Sequence, residues 1–221
     1  MYSRATDTPN VPGGSLELTP PWKEGGLGKY SGQPIVVFGG SSSVGQFVLQ
    51  LAKLSGFSPI ITTASAHNTA YCKLAGATHV IDYRAVPYTE LGRAVADITN
   101  EPVEVVYDAV STPDSQPAAL ALLAPGGGMI VTGPSQVGTL NRRNADDKLI
   151  VMAGGNANNE PKREFTTGMY KALPGLLRDG HIKPNTVEVV AGGLEGVREA
   201  LQRVVKGVSG IKLVVRPHET A

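Results

Sequence analysis

Pro34-Ile35-Val36-Val37-Phe38-Gly39-Gly40-Ser41-Ser42-Ser43-Val44-Gly45-Gln46 decides the fold of this chain. The apolar run up to Phe38 predicts a buried strand. A loop of Gly and Ser follows, and a helix is predicted to start near Val44. That order aims free backbone N–H groups and the positive end of a helix at one spot, where an anionic phosphate can sit. The stretch therefore predicts a bound nucleotide cofactor. Residues 1–33 come before it, too few for a separate substrate-binding domain.

Working outward, strand and helix patterns alternate. Ile35 to Phe38 reads as strand one. Val44, Phe47, Val48, Leu51, Ala52 and Leu54 recur at helical spacing, and Gly56 stops that helix. Strands are predicted over Pro59 to Thr63, Thr78 to Asp82, Val103 to Tyr107, Met129 to Thr132 and Leu149 to Met152. Helices are predicted over Asn68 to Leu74, Glu90 to Ile98 and Ala118 to Leu123. Apolar strands alternating with helices imply a parallel sheet covered on both faces. The fold class is α/β: a Rossmann-type doubly wound parallel sheet over residues 34–155. Residues 1–33 read as an extended, loosely ordered arm anchored by Trp22. Residues 156–221 read as a C-terminal α+β segment. In it a helix spans Phe165 to Leu177, with a kink expected at Pro174. Leu194 to Val205 forms an amphipathic helix, and Val187 to Val190 and Leu213 to Val215 are short strands.

Composition narrows the function classes. With 221 residues, 41% hydrophobic and 18% charged, the chain can bury one full core, or one core plus a lobe. A net charge of +1 argues against an electrostatic nucleic-acid binder. Cys72 is the only cysteine, so neither a disulfide framework nor a thiolate zinc cluster is expected. A reducing, cytoplasmic location is the expectation. Residues 1–20 hold Arg4, Asp7 and Glu17 without a continuous apolar core, so a secretory signal is not expected in them. No run approaches the ~20 apolar residues of a membrane span.

The glycine loop departs from the strict G-x-G-x-x-G pattern. Gly40 and Gly45 are present, and Ser42 replaces the central glycine. Serine is small enough for a phosphate to approach and can donate a hydrogen bond to it. Without a ligand, the same residues would be an ordinary strand–turn–helix connection. Gly40 and Gly45 also have P-loop separation. However, Gln46 and Phe47 stand where Lys and Ser/Thr are required, which argues against nucleotide hydrolysis.

The end of strand two selects the cofactor. NAD sites hold an acid about 20 residues past the loop. Ser58 to Ala66 contains none, and Thr62, Thr63, Ser65, His67 and Asn68 offer donors instead. A carboxylate would repel a 2′-phosphate, whereas these groups can bind one, so NADP is favoured over NAD. None of Tyr2, Tyr30, Tyr71, Tyr83, Tyr88, Tyr107 and Tyr170 has Lys four residues on. That argues against a short-chain dehydrogenase. Methyl transfer from a sulfonium cofactor remains open on this fold.

Several segments together resemble the medium-chain dehydrogenase/reductase superfamily, in its zinc-independent enoyl reductase and quinone oxidoreductase branch. The nearest likeness is to trans-acting enoyl reductases of fungal polyketide pathways. The segments are the 39–45 loop, Leu54-Ser55-Gly56-Phe57, Ser65-Ala66-His67-Asn68, Gly76-Ala77-Thr78-His79-Val80-Ile81-Asp82-Tyr83-Arg84 and Val208-Ser209-Gly210-Ile211-Lys212-Leu213-Val214-Val215-Arg216. By position, the resemblance implies that Gly40, Ser41, Ser42, Ser43 and Val44 hold the pyrophosphate. Ser65, His67 and Asn68 would surround the 2′-phosphate, and Tyr83 would lie beside the adenosine half. Thr132, Gly133 and Met152 would line the nicotinamide side, and Val208 and Ser209 would lie near the cofactor.

Asp108 ends strand four and is given no catalytic role; no proton donor is named. No catalytic zinc is expected. Relatives carry an N-terminal catalytic domain before this part, and the expectation is that the chain lacks it. The C-terminal segment would pack on that domain, so a homo-oligomer or a partner chain is expected to cover it. Two functions remain open. One is an NADPH-dependent oxidoreductase passing hydride to an activated C=C or carbonyl of a small organic substrate. The other is a truncated, non-catalytic NADP-binding module or fragment.

Overall fold

Strands β1 (Ile35–Phe38), β2 (Ile60–Ala64), β3 (His79–Asp82), β4 (Val105–Asp108), β5 (Gly128–Val131) and β6 (Leu149–Met152) form one sheet, ordered β3-β2-β1-β4-β5-β6. Every pairing is parallel. The computed structural model describes residues 1–2, 10, 12–155 and 160–220. Parts of the expected arm (3–9 and 11) and of the expected C-terminal segment (156–159 and 221) lie outside the described residues.

β1 is buried along its whole length because both its faces are covered. Ile35 and Val37 point to one face, where Val48, Leu49 and Ala52 of α1 (Ser43–Leu54) and Cys72 and Ala75 of α2 (Thr69–Ala75) pack. Val36 and Phe38 point to the other, against Leu91 and Val95 of α3 (Leu91–Ala96) and Ala119 of α4 (Ser115–Leu122). The period-two alternation of a strand thus splits one apolar run between two cores.

Boundaries move where hydrogen bonding overrides apolarity. β4 begins at Val105, opposite Ile35, because the Val103 carbonyl accepts from the Ala124 N–H at 2.9 Å and lies outside the ladder. α4 begins three residues before the predicted Ala118, because the Ser115 hydroxyl fastens its first turn to the preceding loop.

The described part of the arm is irregular and is held at several points. The Gly13 N–H donates to the Met152 carbonyl at 2.8 Å. Leu16 lies so close to Gly128 on β5 that a side chain there would collide with it. The Tyr30 ring stacks on Phe57 at 4.8 Å, and its hydroxyl accepts from the Thr19 N–H at 2.7 Å. Trp22 packs between Tyr2 and Phe165, with ring centroids 5.9 and 5.7 Å away. Aromatic contacts replace regular hydrogen bonding in holding this segment.

Beyond the sheet come α5 (Glu160–Arg178), β7 (Val187–Val189), α6 (Gly196–Lys206) and β8 (Lys212–Val214). α5 starts before the predicted Phe165, since its polar first turn carries no apolar spacing, and Pro174 lies within it. β7 and β8 pair in parallel, and Arg203 reaches Glu188 at 2.6 Å. The apolar row of α6 faces outward: Leu201 is 61% exposed and Val205 88%. Among the described residues no helix is long and apolar enough to cross a membrane.

The C-terminal segment is tied to α1 by two glutamines one turn apart. Gln46 donates to Asn185 Oδ1 at 3.1 Å, and Asn185 Nδ2 donates to Ser43 Oγ at 3.0 Å. Gln50 accepts from the Lys183 N–H at 2.6 Å and donates to its carbonyl at 3.1 Å.

Cys72 is wholly buried under α1, and burial raises its thiol pKa to about 11. A thiol that is both inaccessible and protonated is a poor nucleophile. In native buffer at pH 8, Cys72 is expected to resist a chromogenic disulfide reagent for hours and to react within minutes in denaturant. Rapid native labelling would show that the α1–α2 core opens readily.

Candidate cofactor-binding site

The chain reverses its winding direction between β1 and β4, the point at which doubly wound sheets take ligands at the carboxyl ends of their strands. The site is assembled from the loops that leave those ends.

The loop after β1 depends on close approach. The Gly39 and Gly40 N–H groups both donate to the Thr63 carbonyl at 3.1 Å, pinning the turn to β2. Gly39 has φ +72°, a left-handed conformation that costs glycine little. A Cβ on Gly40 would collide with the Thr62 hydroxyl, and one on Gly45 with the Gly39 carbonyl. Both glycines are therefore required sterically, and α1 abuts the end of β1 directly.

Ser42 caps α1: its Oγ accepts from the Gly45 N–H at 2.9 Å. The Ser43 and Val44 N–H groups, in the first turn, have no partner inside the helix. Val44 is exposed, and no acidic residue stands in that turn. The turn thus presents donors and a positive helix end without a competing charge.

At the end of β2, Ser65 is buried, and its hydroxyl accepts from Asn68 Nδ2 at 3.1 Å. His67 Nε2 lies 3.4 Å from the same oxygen. Asn68 Nδ2 also donates to Ser209 Oγ at 2.9 Å. The Gly210 N–H donates to the Ser41 carbonyl at 3.0 Å. The structure therefore brings Ser41, Ser65, His67, Asn68 and Ser209 together, and Val208 precedes that junction. The neighbourhood holds hydroxyls, an amide and an imidazole, with no carboxylate among these contacts.

The other predicted residues spread along the same edge. Tyr83 follows β3, half exposed, with the Arg84 guanidinium 5.9 Å from its ring centre. Thr132 and Gly133 follow β5, on the far side of β4. The Thr132 N–H donates to Ser111 Oγ at 2.8 Å. Met152 ends β6, where its carbonyl accepts from Gly13. Only the first group forms a connected cluster.

Two features went unread in the sequence. The first is the loop after β4. Asp108 is wholly buried and accepts from the Val110 and Ser111 N–H groups at 2.9 and 2.8 Å and from the Ser115 hydroxyl at 2.7 Å. Its carboxylate is spent on organising the loop, which holds Val110 against Gly39. The spacing Asp108-x-x-Ser111 was the available signal. The second is the glutamine pair Gln46 and Gln50, whose i, i+4 spacing on α1 marks a shared face.

Residues 43–169 match the family model described as zinc-binding dehydrogenase. The chain belongs to that family. A trans-enoyl reductase of Alternaria alternata is 33% identical over 195 residues, covering 82% of this chain and 54% of that protein. The enoyl reductase component of the lovastatin nonaketide synthase of Aspergillus terreus is 29% identical, over 82% of this chain and 53% of its own length. Among solved structures, the enoyl reductase cyclopropanase CurF of the curacin A pathway superposes with a TM-score of 0.68 at 24% identity, covering 87% of this chain and 58% of that one. The chain spans about half the length of the curated relatives it matches.

For this zinc-binding dehydrogenase family member, the described residues do not fit a zinc ion. Among the described residues no group of three or more His, Cys, Asp or Glu stands together as a metal would need. No step is derived through zinc.

The steric reading of the loop is testable by paired substitutions. Gly45→Ala is expected to destabilise the fold by about 2 kcal/mol in urea unfolding, because backbone faces the new Cβ and cannot yield. Gly168→Ala in α5 meets open space and is expected to stabilise by about 0.5–1 kcal/mol through helix propensity. Equal effects at the two sites would contradict the close approach of α1 to β1.

Proposed function

We propose that this chain binds NADP(H) and serves as the nucleotide-binding half of an oxidoreductase, acting on an activated C=C or a carbonyl of a small organic substrate. The observation that carries the cofactor choice is the carboxylate-free cluster of Ser65, His67 and Asn68 beside the glycine loop. Two phosphate positions follow from that neighbourhood. The Ser43 and Val44 amides and the α1 terminus suit the pyrophosphate. The Ser65 hydroxyl and His67 suit the 2′-phosphate, since they can donate and carry no repelling charge. Gly40, Ser41 and Ser42 shape the turn between the two, and Tyr83 borders the adenosine side.

When bound, the dihydronicotinamide supplies hydride to the electrophilic carbon of the substrate, and a proton completes the reduction. Thr132, Gly133 and Met152, at the ends of β5 and β6, are assigned to the nicotinamide side. There they orient the ring. The same proposal divides the chain into the 1–33 arm, a 34–155 nucleotide-binding unit and the 156–221 segment. It also extends to partners. Exposed Leu194, Leu201 and Val205 support a covering chain over α6. Light scattering would read a self-partner as a mass above that of one chain, and a strict monomer removes it.

Calorimetry with NADPH and NADH tests the cofactor reading. NADPH is expected to bind at least tenfold more tightly, a difference that one charge-assisted hydrogen bond can supply. Ser65→Asp is expected to abolish that preference while 5′-AMP still binds. Equal binding of the two dinucleotides by the unaltered chain would overturn the NADP assignment. Binding of neither would overturn the oxidoreductase reading for the chain by itself.

A further inference from the structure

The Asn68 side chain joins two serines that lie far apart in sequence. Its single amide nitrogen donates to Ser65 Oγ at 3.1 Å and to Ser209 Oγ at 2.9 Å. A carboxamide nitrogen carries two hydrogens, and both are committed here. Each serine oxygen therefore acts as an acceptor toward Asn68. Its own O–H is then left to donate elsewhere, for Ser65 in the state where His67 Nε2, 3.4 Å away, carries a proton. Asn68 and Ser65 are 6% and 4% exposed, so that half of the arrangement is held in the body of the protein. Asn68 thereby turns two ambivalent hydroxyls into oriented donors, the arrangement an anion requires.

The second serine belongs to the C-terminal segment. Next to it, the Gly210 N–H is bonded to the Ser41 carbonyl of the glycine loop. Gly210 has φ +71°, and a Cβ there would press on Asn68 Oδ1 at 3.3 Å. The segment between α6 and β8 thus grips the site at two points, one on the loop after β1 and one on the turn after β2. Ser209 itself is exposed.

We infer that Asn68 is a positioning residue that presents Ser65 and Ser209 as paired donors to one 2′-phosphate, and that this shared phosphate latches residues 207–216 onto the sheet. The inference rests on the NADP reading above and adds two things to it. Asn68 acts through the serines rather than as a phosphate ligand. Cofactor binding and docking of the C-terminal segment are one equilibrium, so each strengthens the other.

The test uses 2′,5′-ADP and 5′-AMP, which share the adenosine end and differ in the 2′-phosphate. Affinities are measured by calorimetry, and amide hydrogen exchange is followed over residues 207–216. The unaltered chain is expected to prefer 2′,5′-ADP, and that ligand alone is expected to slow exchange in 207–216. Ser209→Ala, an exposed change that leaves the core intact, is expected to weaken 2′,5′-ADP about tenfold and to leave 5′-AMP unchanged. It also removes the added protection. Asn68→Leu is expected to lower the same affinity ratio. A merely structural loss would weaken both nucleotides alike and leave the ratio standing. A chain that binds the two nucleotides equally overturns the NADP reading itself. A chain that prefers 2′,5′-ADP, but whose preference and exchange pattern survive Ser209→Ala, overturns the latch and leaves that reading in place.

Discussion

The site depends on how closely α1 approaches the end of β1. Gly45 lies against the Gly39 carbonyl with no room for a side chain, and Gly40 lies against Thr62 in the same way. That contact fixes the direction of the helix, and so the point at which its first-turn amides converge. It also sets the distance from the loop to the end of β2, because Gly39 and Gly40 both hang from the Thr63 carbonyl. A larger residue at Gly40 or Gly45 would swing α1 outward. It would separate the helix terminus from Ser65 and break the Ser41–Gly210 bond. Sheet order then supplies the switch point, since only between β1 and β4 do the connections leave in opposite directions.

The sheet was legible because its inner strands are buried along their length and are built largely of apolar residues. Strand β1, strand β6 and the Gly76 stop of α2 fall where the residue types put them. Less legible was everything decided by polar side chains. Asp108 looks like any strand-end carboxylate until its three partners are seen. Gln46 reads in the sequence only as a missing P-loop lysine. In the fold it is a docking contact for Asn185, across 139 residues that no local pattern connects. The arm was legible only in part, at its Trp22 anchor. Its Gly and Pro content excludes regular structure, but Tyr2, Trp22 and Tyr30 supply anchors that do not depend on it.

The C-terminal segment meets α1 and the turn after β2 through polar contacts, and neither apolar cluster of the sheet draws on it. Gln46, Gln50 and Asn68 make the ties, while the apolar row of α6 faces away. Such an interface is specific in geometry and modest in strength, since each hydrogen bond contributes only about 1 kcal/mol net. A ligand bridging it can therefore shift its equilibrium. The proposed phosphate-bearing ligand rests on the helix terminus and the carboxylate-free turn after β2.

The most direct measurement is a two-dimensional amide NMR titration with NADPH. The Ser41, Ser43 and Val44 amides, together with the Asn68 side-chain NH2 pair, are expected to shift in step along one saturating curve. Shifts confined to other surfaces, such as α6, with these signals unmoved, would contradict a dinucleotide site at the end of β1.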